Sequence, residues 1–242
     1  MEIKKLLKNL LFIDIETVSA VKSFEELSPR FQKLWIHKAS FLKNDLGVSA
    51  EELYFDRAAI YAEFGKIIVI GVGFFYWDEQ ENLCLKTKTL VGETEFELLN
   101  SFKKLLNDRF AKKDLALCAH NGKEFDFPYL CRRMLVNNIE LPKALDFSGK
   151  KPWEVPHIDT LEMWKFGDKK QYTSLEMLSA LFEIESSKTE MAGNEVNTVY
   201  YIDENLNKIR EYCLEDVIAL AQIFLKLKSI FLEKPVNIER LF

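Results

Sequence analysis

The run Leu10-Leu11-Phe12-Ile13-Asp14-Ile15-Glu16-Thr17 constrains this chain most, because it sets two acids into a segment that otherwise belongs in a core. The stretch from Leu10 to Ile15 has strand character. Alternate side chains of a strand share a face, so Asp14 and Glu16 point the same way. Desolvating an acidic pair at the end of a buried strand is costly unless a cation neutralises it, so the run asks for a metal. Taken alone, Asp-x-Glu also reads as an ordinary strand end with exposed acids.

Two further blocks bear on that choice. Asn121-Gly122-Lys123-Glu124-Phe125-Asp126 leads into a helical pattern with Pro128 in its first turn. Asp126 is there either a cap for free amide groups or a third acid of the site. Tyr212-Cys213-Leu214-Glu215-Asp216 lies in a long helical pattern, where the i, i+4 spacing puts Tyr212 and Asp216 on one face. That face is either a surface edge or a hydroxyl and a carboxylate aimed at one target. In combination the blocks read as a metal site. Mg²⁺ and Mn²⁺ prefer oxygen ligands, and two such ions about 3.5 to 4 Å apart stabilise both the attacking and the leaving oxygen of a phosphoryl transfer. An ordinary phenol titrates near pH 10, so Tyr212 suits orienting a water better than serving as the base.

Composition is compatible with this reading. With 242 residues and 48% hydrophobic content, the chain can bury a sizeable core, most simply as one domain, residues 1–242, with a helical insertion at 19–62. A net charge of −5 and a pI near 5.5 argue against a broad duplex-coating basic surface, though bound divalent ions would offset the site carboxylates. Cys84, Cys118, Cys131 and Cys213 are scattered without Cys-x-x-Cys spacing, which predicts reduced thiols and a cytoplasmic protein. The N-terminus has neither the pattern of a signal peptide nor that of a membrane span.

Strand-like segments fall at about 10 to 15, 67 to 76, 83 to 90 and 115 to 119, and helical patterns at roughly 93 to 108, 124 to 137, 174 to 183 and 204 to 232. This order predicts an α/β fold with a mixed central sheet. Ser28-Pro29 and Ser49-Ala50-Glu51-Glu52 mark helix starts inside the insertion. Residues 141 to 156, with Pro142, Gly149, Pro152 and Pro156, read as a loop.

The three acidic blocks resemble, in order and character, the motifs of the DEDD exonuclease superfamily, and Tyr212-x-x-x-Asp216 resembles its tyrosine branch. Glu63-Phe64-Gly65-Lys66-Ile67, His157-Ile158-Asp159-Thr160 and Lys188-x-x-Met191-x-Gly193 resemble the predicted 3′-5′ exonucleases related to the proofreading domain of family B DNA polymerases. The resemblance runs from Leu10 to Leu225, most vaguely over 19 to 62, and no attached polymerase domain is expected after Asp216. It implies a ribonuclease-H-like fold. It also implies that Asp14 bridges two ions, that Glu16 and Asp216 complete the site of the attacking water, and that Asp126 holds the second ion partly through water. Ile15, Thr17, Asn121 and Phe125 would meet the 3′-terminal nucleotide, with Asp159 in support; Phe125 also reads as a core residue.

Ser28 to Lys43 interleaves Arg30, Lys33, Lys38 and Lys43 with Phe31, Trp35 and Phe41. It is either a wall for a single strand or an amphipathic helix packing its 31, 34, 35, 38 face. Trp153 with Lys150 and Lys151 carries the same ambiguity. The expected activity is metal-dependent 3′-5′ hydrolysis of single-stranded DNA or unpaired 3′ ends, with no membrane partner. An exoribonuclease or a non-catalytic nucleic-acid-binding module on the same fold are the alternatives. An RNase-H-type endonuclease would leave the tyrosine without a purpose.

Overall fold

The alternation along the first strand decides which helices pack where. In the computed structural model, which describes residues 2–43, 47–110, 115–168, 172–184, 191 and 193–241, strand β1 runs Leu10–Ser19. Leu11, Ile13 and Ile15 face one hydrophobic cluster, while Leu10 and Phe12 face another. Asp14 and Glu16 continue the second row. Around β1 lie β2 (Gly65–Trp77), β3 (Leu83–Leu90), β4 (Ala116–Ala119), β5 (Ile158–Asp159) and β6 (Asn237–Leu241), in the order β5-β4-β1-β2-β3-β6. The pairs β1–β2 and β2–β3 are antiparallel, and β1–β4, β4–β5 and β3–β6 are parallel. The expected mixed sheet is therefore present, with β5 and β6 as additions. β5 has two residues and β6 is largely exposed, so neither carries the apolar alternation that announces a strand.

The described helices are α1 (Glu2–Lys8), α2 (Pro29–Ala39), α3 (Ala50–Arg57), α4 (Glu95–Phe110), α5 (Asp126–Val136), α6 (Thr160–Lys165), α7 (Leu175–Leu181), α8 (Val196–Tyr201) and α9 (Leu206–Leu227). The short α1, α6 and α8 have too few turns to show a period in the sequence. α4 and α5 cover the odd-numbered face of β1, and α7 and α9 cover the even-numbered face. Phe12 is central to the latter contact, its ring 5.3 Å from Phe75 and 5.5 Å from Phe224, both edge-on. Among the described residues no helix is long and apolar enough to cross a membrane.

α2 and α3 occupy the 19–62 segment and have their own small core around Trp35, Tyr54 and Phe64. Trp35 is fully buried, and its indole donates to the Ala50 carbonyl at 2.6 Å. Packing thus runs through Trp35 and Ala39, not the whole 31, 34, 35, 38 face, since Phe31 and Leu34 are 42% and 46% exposed. The 141–156 loop is pinned from below by His157. Its Nδ1 accepts from the Leu117 amide at 3.2 Å and its Nε2 donates to the Ala144 carbonyl at 2.8 Å, so the ring is neutral.

Burial pushes the His157 imidazole down to about 4. Its ordinary value is 6.5, so between these limits the unfolded chain binds a proton that the folded one refuses. Stability is therefore complete above pH 6.5 and falls as pH drops toward 4. The loss should reach about 2 kcal/mol at pH 5, read from urea midpoints, and His157→Gln should remove that component. Equal pH dependence in both proteins would contradict a neutral buried ring.

Candidate active site

The bonding of β1 changes character where its acids begin. β4 pairs with it only as far as Phe12, and on the other side the register to β2 slips between Glu16 and Thr17. A bulge there bends the strand and re-aims the side chains beside it. Beyond the end of β4 the Ile15 amide is met by Asp126 from the start of α5. Asp126 is the first residue of that helix and Phe125 its N-cap, so Asp126 is not the N-cap, although its carboxyl also meets its own free amide. Its carboxyl is 4% exposed. Burial first, and the nearby charge of Asp159 next among the raising causes, push it up to about 7, against the pull of backbone amides.

The turn ahead of α5 is built to deliver Asp126. Asn121 sits in the left-handed region at φ 62, and a Cβ on Gly122 would lie 2.3 Å from that of Ala119, so the chain needs glycine at that point. Asp159, almost fully buried, accepts from the amides of Asn121 at 2.9 Å and Lys123 at 3.1 Å, while also capping α6 through Leu161. Asp159 thus supports the turn.

The remaining groups come from α9, which lies unusually close to the sheet. A Cβ on Gly71 would sit 2.8 Å from Val217 and 2.9 Å from Cys213 Sγ, and one on Gly73 would sit 2.7 Å from Val217. This approach lets the Cys213 thiol donate to Asp14, at 3.5 Å to Oδ2 and 3.6 Å to the carbonyl. One residue earlier, Tyr212 hydrogen-bonds Asp216, which is 7% exposed. Burial, followed by the carboxylates of Asp216, Glu16 and Asp14, holds the Tyr212 phenol far above its usual range. Burial and the same acids also raise the Cys213 thiol, so both groups stay protonated.

A cavity of about 330 Å³ collects these groups. Asp14, Ile15, Glu16, Thr17, Phe125, Tyr212 and Asp216 all line it. Asp126 and Asn121 are both outside the lining; Asp126 is buried beside the amide of the lining residue Ile15, and Asn121 serves the turn. Thr17 faces inward, but its hydroxyl already donates to the Ala59 carbonyl at 2.9 Å. No residue of 28–43 reaches the lining, and neither Trp153 nor its lysines do. The opposite contributors are Phe55, Asp56, Arg57, Ala59 and Ile60, together with Gly193, Asn194, Val196 and Asn197, of which only Gly193 belonged to a motif in the sequence. Of the third resembling motif, Gly193 lines the cavity, Met191 packs beside α8, and Lys188 lies outside the described residues.

The residues fit a hard cation. Asp14, Glu16 and Cys213 offer ligand atoms within 4.8 Å of one another, and two carboxylates at that separation repel by about 3 kcal/mol at an effective dielectric near 20. A divalent ion converts that repulsion into attraction, and the oxygen-rich donor set suits Mg²⁺ or Mn²⁺. The Cys213 thiol, a soft donor poorly matched to such a hard cation, hydrogen-bonds Asp14 and orients it.

Residues 60–233 match a family model described as a predicted 3′-5′ exonuclease related to the exonuclease domain of PolB. That stretch contains Asp126, Tyr212 and Asp216 and begins after Asp14 and Glu16. Among solved structures, the family B DNA polymerase from the hyperthermophilic archaeon Pyrobaculum calidifontis is similar at a TM-score of 0.55 and 12% identity. The likeness covers 90% of this chain and 24% of that one, so the chain spans about a quarter of the polymerase's length. It shows a shared ribonuclease-H-like fold.

Because Gly71 sets the distance between α9 and the sheet, Gly71→Ala should cost about 1–3 kcal/mol in urea unfolding through overpacking. A variant as stable as the parent would show that the helix can retreat freely, and that close contact does not fix Tyr212 and Asp216.

Proposed function

The chain belongs to the family of predicted 3′-5′ exonucleases related to the exonuclease domain of PolB, and on that premise we propose that its cavity removes nucleotides from the 3′ end of single-stranded DNA or from unpaired 3′ ends, in one domain carrying an insertion at 19–62. The observation that carries the proposal is the convergence of Asp14, Glu16, Tyr212 and Asp216 in one cavity, with Asp126 bonded to the strand between the first two.

Asp14, Glu16, Asp126 and Asp216 would hold two divalent cations, Mg²⁺ or Mn²⁺. Such cations supply Lewis acidity and neutralise the charge that builds on a phosphodiester during hydrolysis. The rest falls to the protein. Tyr212, an ordinary phenol titrating near pH 10, is a poor proton acceptor near neutrality; it can accept or donate a hydrogen bond, which suits holding the attacking water in line with the phosphorus. The water oxygen forms the new P–O bond, the P–O3′ bond breaks, and the products are a nucleoside 5′-monophosphate and a strand with a new 3′-hydroxyl. Phe125, half-buried beside Tyr129, offers a ring face to the terminal base, and Ile15 an apolar floor. The Thr17 hydroxyl, its proton committed to Ala59, can act toward a terminal sugar only as an acceptor.

A 5′-labelled single strand incubated with Mg²⁺ or Mn²⁺ should yield a descending ladder that a chelator abolishes, while a circle of the same sequence stays intact. Cutting of the circle would contradict exonuclease action. An RNA strand of identical sequence run in parallel, cut faster than the DNA, would replace the proposed substrate with RNA.

Asp14→Asn, Glu16→Gln, Asp126→Asn and Asp216→Asn should each lower turnover by about two orders of magnitude or more without unfolding the protein. Tyr212→Phe should cost roughly tenfold to a hundredfold, confined to kcat, because it removes one hydrogen bond at the nucleophile. Single-turnover rates across pH decide this. A Phe variant as fast as the parent at every pH would leave Tyr212 with no part in the reaction.

A further inference from the structure

The cavity wall formed by residues 55–60 is the one part of the site that neither the acidic motifs nor the bulk of the family match accounts for, since the match begins at residue 60. This wall is held rigidly. Ala59 presents its carbonyl to both Thr17 Oγ1 and Tyr129 Oη, each at 2.9 Å. Phe55 presents its carbonyl to Asn197 Nδ2 at 2.5 Å, and the Oδ1 of the same Asn197 takes the Ser19 amide at 2.9 Å. Tyr129 and Asn197 are buried, at 1% and 5% exposure, so these bonds form away from competing water. The insertion is thereby fastened to the acid-bearing strand, to α5 and to α8.

What the wall presents is chemically specific. Among the described residues that line the cavity Arg57 is the sole basic one, and the other charged ones are Asp14, Glu16, Asp56 and Asp216. Its side chain is exposed, and no ion pair or hydrogen bond ties its guanidinium to another side chain among the described residues. By contrast Arg133 is locked to Glu95, and Arg240 to Glu215. Asp56 precedes Arg57, and the two charges cancel at long range, so Arg57 acts by contact and not by steering. Phe55 and Ile60 flank it with apolar surface facing the same cavity.

We infer that the 55–60 wall is the substrate-recognition element of this chain, with Arg57 binding the first backbone phosphate upstream of the scissile one and Phe55 contacting a base. The inference rests on the exonuclease reading of the cavity. A guanidinium matches a phosphate through two parallel N–H···O bonds, which a lysine cannot reproduce. Because Arg57 shares one cavity of about 330 Å³ with the acids, its phosphate is one of the last in the strand. Contacts further upstream belong to other surfaces.

The test uses the full chain as wild type, Arg57→Ala and Arg57→Lys. Binding of fluorescent decathymidylate is read by anisotropy with Ca²⁺ present across a KCl series, and kcat and KM are measured with Mg²⁺ on the decamer and on a thymidine trinucleotide. Arg57→Ala should weaken binding about tenfold or more and lower the salt slope by about 0.7, with kcat nearly unchanged. Arg57→Lys should restore the slope but only part of the affinity. The rise in KM should be the same for trinucleotide and decamer. If wild type binds and cuts DNA while Arg57→Ala matches it in affinity and slope, the inference fails and the exonuclease reading stands. A loss confined to the decamer would also overturn it, by placing Arg57 on distant phosphates. A wild type that neither binds nor cuts DNA or RNA would remove the exonuclease reading and this inference together.

Discussion

The close contact between α9 and β2 is the constraint on which the cavity depends. Two glycines on one strand, Gly71 and Gly73, leave room for Val217 and Cys213 almost at the backbone. At that distance the thiol of Cys213 reaches Asp14, and the neighbouring turn of the helix brings Tyr212 and Asp216 over Glu16 and Asp14. Phe12, gripped between Phe75 and Phe224, anchors the same contact from the core side, each aromatic pair contributing about 0.5–1.5 kcal/mol beyond area burial. The hydrophobic packing therefore supplies the energy that holds like charges together. Nothing in the acids themselves would gather them.

Much of this arrangement was legible because it follows from periodicity. A strand repeats every two residues, so Asp14 and Glu16 had to share a face, and the helix repeat joined Tyr212 to Asp216. Other features resist such reading because they arise from contacts between distant segments. Asp126 could not be told from a helix cap until the end of β4 was known to leave the Ile15 amide for it. Cys213 looked like one more buried thiol. Its approach to Asp14 follows from the glycines of β2, about 140 residues away in the chain, and leaves no local mark.

The insertion is the clearest case. Its basic and aromatic helix, 28–43, drew attention by composition, yet it packs through Trp35 and stays off the cavity lining. The segment that does line the cavity, around Phe55 and Arg57, has no motif and owes its place to hydrogen bonds from Thr17, Tyr129 and Asn197 to backbone carbonyls. Side chains that donate to backbone carbonyls fix a loop whatever its own sequence, so such a wall can change its chemistry without disturbing the fold. The family-matched stretch and the cavity wall are in this sense separable layers: one carries Asp126, Tyr212 and Asp216, and the other presents Arg57.

If Asp14, Glu16 and Asp216, crowded by the packing of α9 on the sheet, hold divalent cations together with Asp126, the metal binds without substrate. Equilibrium dialysis of Mn²⁺ against wild type and Asp14→Asn measures this directly, without substrate or turnover. The account predicts about two ions per wild-type chain at saturation and a loss of binding in Asp14→Asn. A wild type that binds no Mn²⁺, or an Asp14→Asn protein that binds it with unchanged stoichiometry and affinity, would contradict it.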